Sequence, residues 1–254
     1  MSTSTSSLQF LGVGGAFAPL NIGNSIMLIT SATGKRMLFD CGSSLQYTLK
    51  EDFGLTPNDI DAMWISHAHA DHIGSMEWFA FYRHFVSSFK QKTTLYVDDR
   101  FVHELWNNSL KGGLSTVNGS TVDLNTYFHV KPTREFQFEE FACKSIRVPH
   151  MNANFEQSYT YGLYIENIDK SFRTYITGDT QFCPYQLNNI YRLADQIFHD
   201  TETLPQRSYV HANIEDLKTL PENIKAKIWM YHYREEVDAP GFAGFVKKGQ
   251  IFDI

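Results

Sequence analysis

Apolar residues in this chain collect into short runs separated by turn signals, and only a few stretches repeat at the three- to four-residue spacing of a helix. The runs predict strands at residues 7–14, 24–30, 35–42, 62–65, 93–99, 144–150, 160–167, 172–179, 194–200 and 227–233. Helical spacing predicts helices at about 43–53, 72–90, 184–191 and 211–220. Strands with helices and loops between them make an α/β chain. No internal repeat divides it. The 254 residues read as a polar, disordered tail over residues 1–7 and a single domain over residues 8–254.

Several of these strands end in a residue that can bind a metal. Asp40 follows MLF, His67 follows AMWIS, His150 follows IRVP, Asp179 follows TYITG, Asp200 follows IFH and His232 lies in IWMYHY. Polar groups gathered at one end of buried strands describe the rim of a site, because the sheet fixes them and the loops leave room for a substrate. Taken singly, Asp40 could open a turn before Gly42 and His232 could be a hydrogen-bonded core residue.

The stretch WISHAHADHIGS, residues 64–75, concentrates this chemistry. Its His67, His69, Asp71 and His72 fall in a strand-to-helix loop, where a rigid scaffold can aim side chains. His67 and His69, two apart, can face one way on extended backbone while Asp71 and His72 swing round at the helix entry. That geometry suits two neighbouring metal ions. The bland alternative is a capping loop with Asp71 as the cap, but capping uses one aspartate and gives three imidazoles no task. Gly12, Gly14 and Gly15 predict a tight turn approaching the same place.

Composition narrows the partners. The formal net charge of -6 lacks the basic footprint of a protein that grips a long nucleic acid. Cys41, Cys143 and Cys183 are far apart with no C-x-x-C pair, which argues against a disulfide framework or a thiolate zinc site and fits a reducing cytoplasm. The opening MSTSTSS has neither the basic nor the apolar region of a signal peptide, and no apolar run approaches membrane-spanning length. A soluble, cytoplasmic protein is expected.

In the order of FLGVGGAF, LFDCG, HAHADH, the histidine of VPH, the aspartate of TGDT and a last histidine after an apolar strand, the chain resembles the metallo-β-lactamase superfamily. The resemblance implies a metallo-β-lactamase αβ/βα sandwich, two mixed β-sheets packed together with helices on the outer faces. It also implies His67, His69 and His150 on one metal, Asp71, His72 and His232 on another, and Asp179 bridging the two. Imidazole and carboxylate donors suit two Zn2+ ions, and manganese or iron could use similar ligands. Two cations would lower the pKa of a water held at the open positions.

The segment 197–221, IFHDTETLPQRSYVHANIEDLKTLP, resembles the tRNase Z group of phosphodiesterases, in which an acidic residue supports a histidine ahead of the last metal histidine. The counterparts here are Asp200 and His211. The resemblance implies a catalytic set of Asp71, His211 and Asp200 with His211 as general acid. Glu202 competes with Asp200 for the supporting role, His199 is expected to be structural, and His211 could instead be a surface residue near a helix cap.

Processing members of that group carry a protruding arm between the lone histidine and the bridging aspartate, whereas residues 151–178 here hold only two strands and a turn. In this the chain resembles the phage anti-Pycsar enzymes, small members that hydrolyse cyclic mononucleotides. The resemblance implies cleavage of 3′,5′-cyclic nucleotides to nucleoside monophosphates, a homodimer, and action inside a host cell if the source is viral. Phe17, Asn152, Asn154 and Tyr159, with Tyr161, lie beside the metal loops as candidate substrate contacts, though each aromatic could equally belong to the core. The aromatic-rich region 73–130 is either a subunit interface or an internal packing layer. An RNA 3′-processing nuclease and a metal-binding nucleotide sponge are the competing functions; no membrane and no stable nucleic-acid partner is expected.

Overall fold

The computed structural model describes residues 5–87, 91–153 and 156–254, without the side chains of residues 152, 153, 156 and 157. Its strands are β1 (Ser7–Gly12), β2 (Ile26–Thr30), β3 (Arg36–Phe39), β4 (Ala62–Ile65), β5 (Thr93–Val97), β6 (Thr116–Val117), β7 (Ser120–Thr121) and β8 (Phe128–Pro132) in the first half. The second half contributes β9 (Glu135–Phe138), β10 (Phe141–Ala153), β11 (Glu156–Asn167), β12 (Arg173–Ile176), β13 (Gln196–Asp200), β14 (Ile228–Tyr231), β15 (Gly244–Phe245) and β16 (Ile251–Asp253). One seven-stranded sheet runs β16-β1-β2-β3-β4-β5-β8 and a second runs β15-β14-β13-β12-β11-β10-β9; β6 and β7 form a separate hairpin.

The two sheets repeat one plan. Pairing is antiparallel from β16 to β3 and parallel from β3 to β8. In the other sheet it is antiparallel from β9 to β12 and parallel from β12 to β15. Parallel strands covered on both faces read as unbroken apolar runs, and AMWI of β4 is buried at every position. Ligands of open α/β sheets gather outside the carboxyl ends of such strands. Those ends carry Asp40 after β3, the histidine loop after β4, Asp179 after β12, Asp200 at the end of β13 and His232 after β14.

Between the sheets, Phe10 of β1 packs on Phe198 of β13 at 5.1 Å and on Tyr231 of β14 at 5.8 Å between ring centroids. The layers are also joined by hydrogen bonds. The Trp64 indole N–H of β4 donates to the Tyr161 carbonyl of β11 at 3.1 Å, and the Tyr161 N–H donates to the Ser66 carbonyl at 3.1 Å. Helices close the outer faces: Leu45, Leu49, Met76 and Phe79 are buried against the first sheet, and Leu187, Tyr191, Ile214 and Leu217 cluster with Tyr175, Ile197 and Ile228 of the second. The αβ/βα sandwich expected from the sequence is therefore the observed architecture.

Local differences have tertiary causes. The helix predicted at 72–90 is broken into Ala70–Ile73 and Met76–Phe81 followed by a wider turn over Tyr82–Val86, and its last three positions, 88–90, lie outside the described residues. Between the pieces, the Ser75 N–H donates to the Cys41 carbonyl and its hydroxyl to the Gly42 carbonyl, so the chain leaves the helical ladder to bond the loop after β3. The helix predicted at 211–220 shrinks to Ile214–Leu217, because Ala212 and Ile214 exchange backbone bonds with Glu202 and Asn213 caps the turn. Ser7, placed by the sequence both at the end of the tail and at the head of the first predicted strand, belongs to the strand: it pairs with Asp253 and Thr30 as the first residue of β1. In the aromatic-rich region, Phe79, Phe101, Leu105, Leu114, Tyr127 and Phe128 are buried, which makes most of it a packing layer.

Candidate metal centre

The loop after β3 prepares the ground for the histidine loop. Asp40 adopts a left-handed backbone, φ 67°, uncommon for a residue with a side chain. Cys41 N–H donates to the His72 carbonyl and Ser43 N–H to the Ala70 carbonyl, laying this loop along the next. Gly42 must be glycine: a Cβ there would stand 1.9 Å from the Asp71 carbonyl oxygen.

Two groups of donor atoms converge. His67 Nε2 lies 2.9 Å from His69 Nδ1, which lies 3.3 Å from His150 Nε2. Beside them, Asp71 Oδ2 is 3.3 Å from both His72 Nε2 and His232 Nε2. Asp179 Oδ2 is 3.2 Å from His72 Nε2 and 3.4 Å from His232 Nε2, and 3.9 to 4.0 Å from His67 Nε2 and His150 Nε2. It thus touches both groups. Edges near 3.3 Å are those of a tetrahedron with donors roughly 2.0–2.1 Å from its centre, the zinc–nitrogen distance.

The donor set fits a divalent cation on a further observation. His72 Nε2 and Asp179 Oδ1 are buried without a hydrogen-bond partner among the described residues, a costly arrangement unless a cation or water satisfies them. The other ring nitrogens of His67, His72 and His150 are engaged, which leaves the converging ones free to ligate. His72 Nδ1 donates to Asp40 Oδ2 at 2.7 Å, and His150 Nδ1 donates to the Val210 carbonyl at 2.9 Å. The Ser66 hydroxyl donates to Asp40 Oδ2 at 2.8 Å and accepts from His67 Nδ1 at 3.0 Å.

The electrostatics separate the groups. Burial, reinforced by His72 for His67, holds the imidazoles of His67, His69 and His150 below the usual range, so they are neutral with lone pairs available. Burial pushes the Asp71 and Asp179 carboxyls up, but the imidazoles of His72 and His232 outweigh it and hold both below the carboxylate range. Burial pulls His72 down too, and the Asp179, Asp71 and Asp40 carboxylates more than offset it.

Asp200 ties this centre to His211. Its Oδ2 accepts from His211 Nδ1 at 2.9 Å and from the Thr180 N–H at 2.8 Å, while its Oδ1 lies 3.4 Å from His232 Nδ1. His211 Nδ1 is 3.9 Å from Asp179 Oδ2, and its ring centroid is 4.6 Å from that of His232. Burial lowers the His211 pKa, but the Asp200 carboxylate and its hydrogen bond, with Asp179 beyond, raise it to about 10.

The family model for the Anti-Pycsar protein Apyc1 matches residues 6–252 of this chain. The chain belongs to that family. It is 32% identical over 257 residues to the Anti-Pycsar protein Apyc1 of Paenibacillus sp. (strain J14), covering 97% of this chain and 98% of the relative. It is also 32% identical over 249 residues to that of Bacillus phage vB_BveM-Goe7, covering 92% and 91%. The metallo-beta-lactamase fold protein YhfI from Bacillus subtilis superposes with a TM-score of 0.73 at 18% identity, covering 98% of this chain and 99% of that one, which places this family member in the metallo-β-lactamase fold. Fold, family and donor set are those of a metal-dependent hydrolase.

Within this member of the Apyc1 family, the seven residues expected as ligands come together in two groups sharing Asp179. His211 is half-buried against the centre and not a surface cap, since its Nδ1 bonds Asp200 and Asn213 caps the helix instead. The hydrogen bonds of Glu202 go to Ser208 N–H and the Asn213 amide, so its carboxylate favours protonated His211 only through space, behind Asp200 and Asp179. His199 is structural as expected, donating from Nδ1 to the Asp200 carbonyl at 2.6 Å with Nε2 2.7 Å from the Tyr191 hydroxyl. Phe17 is fully exposed on the β1–β2 loop, Tyr159 is half-buried, and Tyr161 is buried against Phe101. Asn154 and the side chain of Asn152 lie outside the described residues.

Sequence reasoning missed the supports. Asp40, read as a strand-end donor, holds His72 from behind, and Ser66 and the Val210 carbonyl carried no legible signal of their targets; Gly15 was legible only as part of a turn approaching the site. Gly15 lies against the ring of His232, where a Cβ would stand 2.7 Å from Cε1. His232 itself has φ 64°, pinned by its N–H to the Val13 carbonyl at 2.7 Å.

Proposed function

We propose that this protein is a phosphodiesterase that hydrolyses 3′,5′-cyclic mononucleotides to nucleoside monophosphates and so counters a host cyclic-nucleotide signal. His67, His69 and His150 would hold one divalent metal ion and Asp71, His72 and His232 a second, with Asp179 shared; zinc suits the donors and manganese is the alternative. When bound, such ions supply Lewis acidity and activate water near neutral pH.

The chain's own contribution is placement and one proton. Asp40, Ser66 and the Val210 carbonyl fix the ring tautomers of the donors. Hydrolysis forms a bond from water oxygen to phosphorus, the water giving up one proton to solvent, and breaks one ester P–O bond, leaving an alkoxide that needs a proton. His211 gives it: Nδ1–H is committed to Asp200, so Nε2–H is the donor, and the Asp200 carboxylate keeps the ring protonated at neutral pH. Phe17 and Tyr159 are assigned to the nucleotide's organic part.

The observation that carries this reading is the Asp200–His211 pair, abutting the double donor group through Asp179. A proton donor so placed is what an unactivated leaving group requires, and the relatives' name, Anti-Pycsar, supports a small nucleotide as substrate. The reading carries with it a cytoplasmic homodimer. Phe85 and Val86 remain exposed in the aromatic-rich region as the surface for it, and among the described residues no helix is long and apolar enough to cross a membrane. Incubating the protein with zinc or manganese and either a panel of 3′,5′-cyclic nucleotides or a precursor tRNA tests the reading. Release of nucleoside monophosphate with intact RNA is expected; trimmed RNA beside intact cyclic nucleotides would reject it in favour of a processing nuclease.

A further inference from the structure

Arg100, Arg134, Arg173 and Arg207 each meet a carboxylate. Arg36, Arg83, Arg147, Arg192 and Arg234 meet none among the described residues; of these five, Arg147 rests on an aromatic ring. It is exposed, and its guanidinium carbon lies 4.0 Å from the centroid of the Tyr159 ring. On a chain with a net charge of -6, an unpaired cation resting on an aromatic face invites a ligand.

Its place in the fold says which ligand. In the β10–β11 ribbon, Pro149 pairs with Tyr159 and Arg147 with Tyr161, so the three polar or aromatic side chains share one face by the two-residue period of a strand. That face meets the first sheet, because Ser145, two residues before Arg147, donates to Asp98 and Tyr161 stacks on Phe101. Tyr161 N–H bonds the Ser66 carbonyl, one residue before His67, and Pro149 immediately precedes His150. Tyr159 thus lies two residues along its strand from the residue that bonds the histidine loop, and Arg147 lies on the strand that carries His150.

We propose that the Arg147–Tyr159 stack is the shelf on which the substrate's nucleobase lies, with the outer face of the guanidinium plane against the base. The proposal rests on the phosphodiesterase reading above. A guanidinium is planar and weakly hydrated, and it stacks on every base because every base has a π face. Tyr159 beneath it restricts the plane before substrate arrives, which lowers the ordering cost of binding.

The test is steady-state kinetics of the full-length, metal-loaded protein on 3′,5′-cyclic nucleotides and on methyl p-nitrophenyl phosphate, a diester without a nucleobase. Arg147→Ala is expected to raise KM for the best cyclic nucleotide by about fivefold or more while sparing kcat, so that selectivity over the base-free diester falls by the same factor. Arg147→Lys keeps the charge without the plane and is expected to lose selectivity equally, as is Tyr159→Leu. Unaltered KM values in Arg147→Ala, or full rescue by lysine, overturn the shelf while leaving the phosphodiesterase reading intact. A wild-type protein that cleaves the base-free diester and no cyclic nucleotide overturns that reading and the shelf with it.

Discussion

The two halves of the molecule reach the same centre by opposite means. The first half supplies His67, His69, Asp71 and His72 from one six-residue loop after β4. The second supplies His150, Asp179 and His232 singly, His150 from within β10 and the other two from just beyond the ends of β12 and β14. Both halves are built on the same sheet plan, so the difference lies in the loops. A contiguous donor loop carries its own register and needs support mainly from behind, from Asp40 and Ser66. The dispersed donors depend on the sheet for spacing, and on Asp200 and the Val210 carbonyl for orientation.

Substitutions can break that contrast. Asp179→Ala removes the one donor that touches both groups, and is expected to cut metal content and to lower turnover by more than about a thousandfold; elemental analysis per chain together with the diesterase assay measures it, and two retained ions with ordinary activity would mean the dispersed half is dispensable. His211→Ala should lower turnover on an unactivated substrate by about 10²- to 10⁴-fold with metal content retained, and a substrate with a p-nitrophenolate leaving group should recover much of the loss. Asp40→Ala, which leaves His72 Nδ1 unsupported, is expected to weaken metal binding by about 10- to 100-fold, read by chelator competition. Equal metal affinity in that variant would show that the contiguous loop supports itself.

The smallest effect is a displacement along the pH axis. As the proposed acid His211 must be protonated, so activity is expected to fall as pH rises through its pKa, raised to about 10 largely by Asp200 against the pull of burial. Asp200→Asn removes that carboxylate and should move the alkaline limb of kcat to lower pH, with the acid side unmoved. The same sign holds for stability: the His211–Asp200 contact contributes fully below the unfolded pKa of His and fades as pH climbs toward 10. A pH profile superimposable on the wild type would remove Asp200 from the proton donor's support.

The contrast also explains what could be read from the sequence. Four donors within six positions are visible without a fold. His150, Asp179 and His232 are each ambiguous alone and became legible through their shared place at the ends of apolar runs and their order. The supports were illegible because they act through space: Asp40 reaches His72 from 32 positions away, and Val210 acts through a carbonyl that any residue has. The same is true of the helix broken at Ser75, whose apolar spacing continues across a gap dictated by hydrogen bonds to Cys41 and Gly42. Local periodicity knows nothing of such partners.

The clasp between Trp64 and Tyr161, continued by Tyr161 to Ser66, sits one residue from the first donor histidine. A sandwich fastened there loosens from its margins inward, so amides of β8, β9 and β15 should exchange with deuterium long before those of β4 and the middle of β11. The floor of the centre would then be among the last parts of the protein to let solvent in.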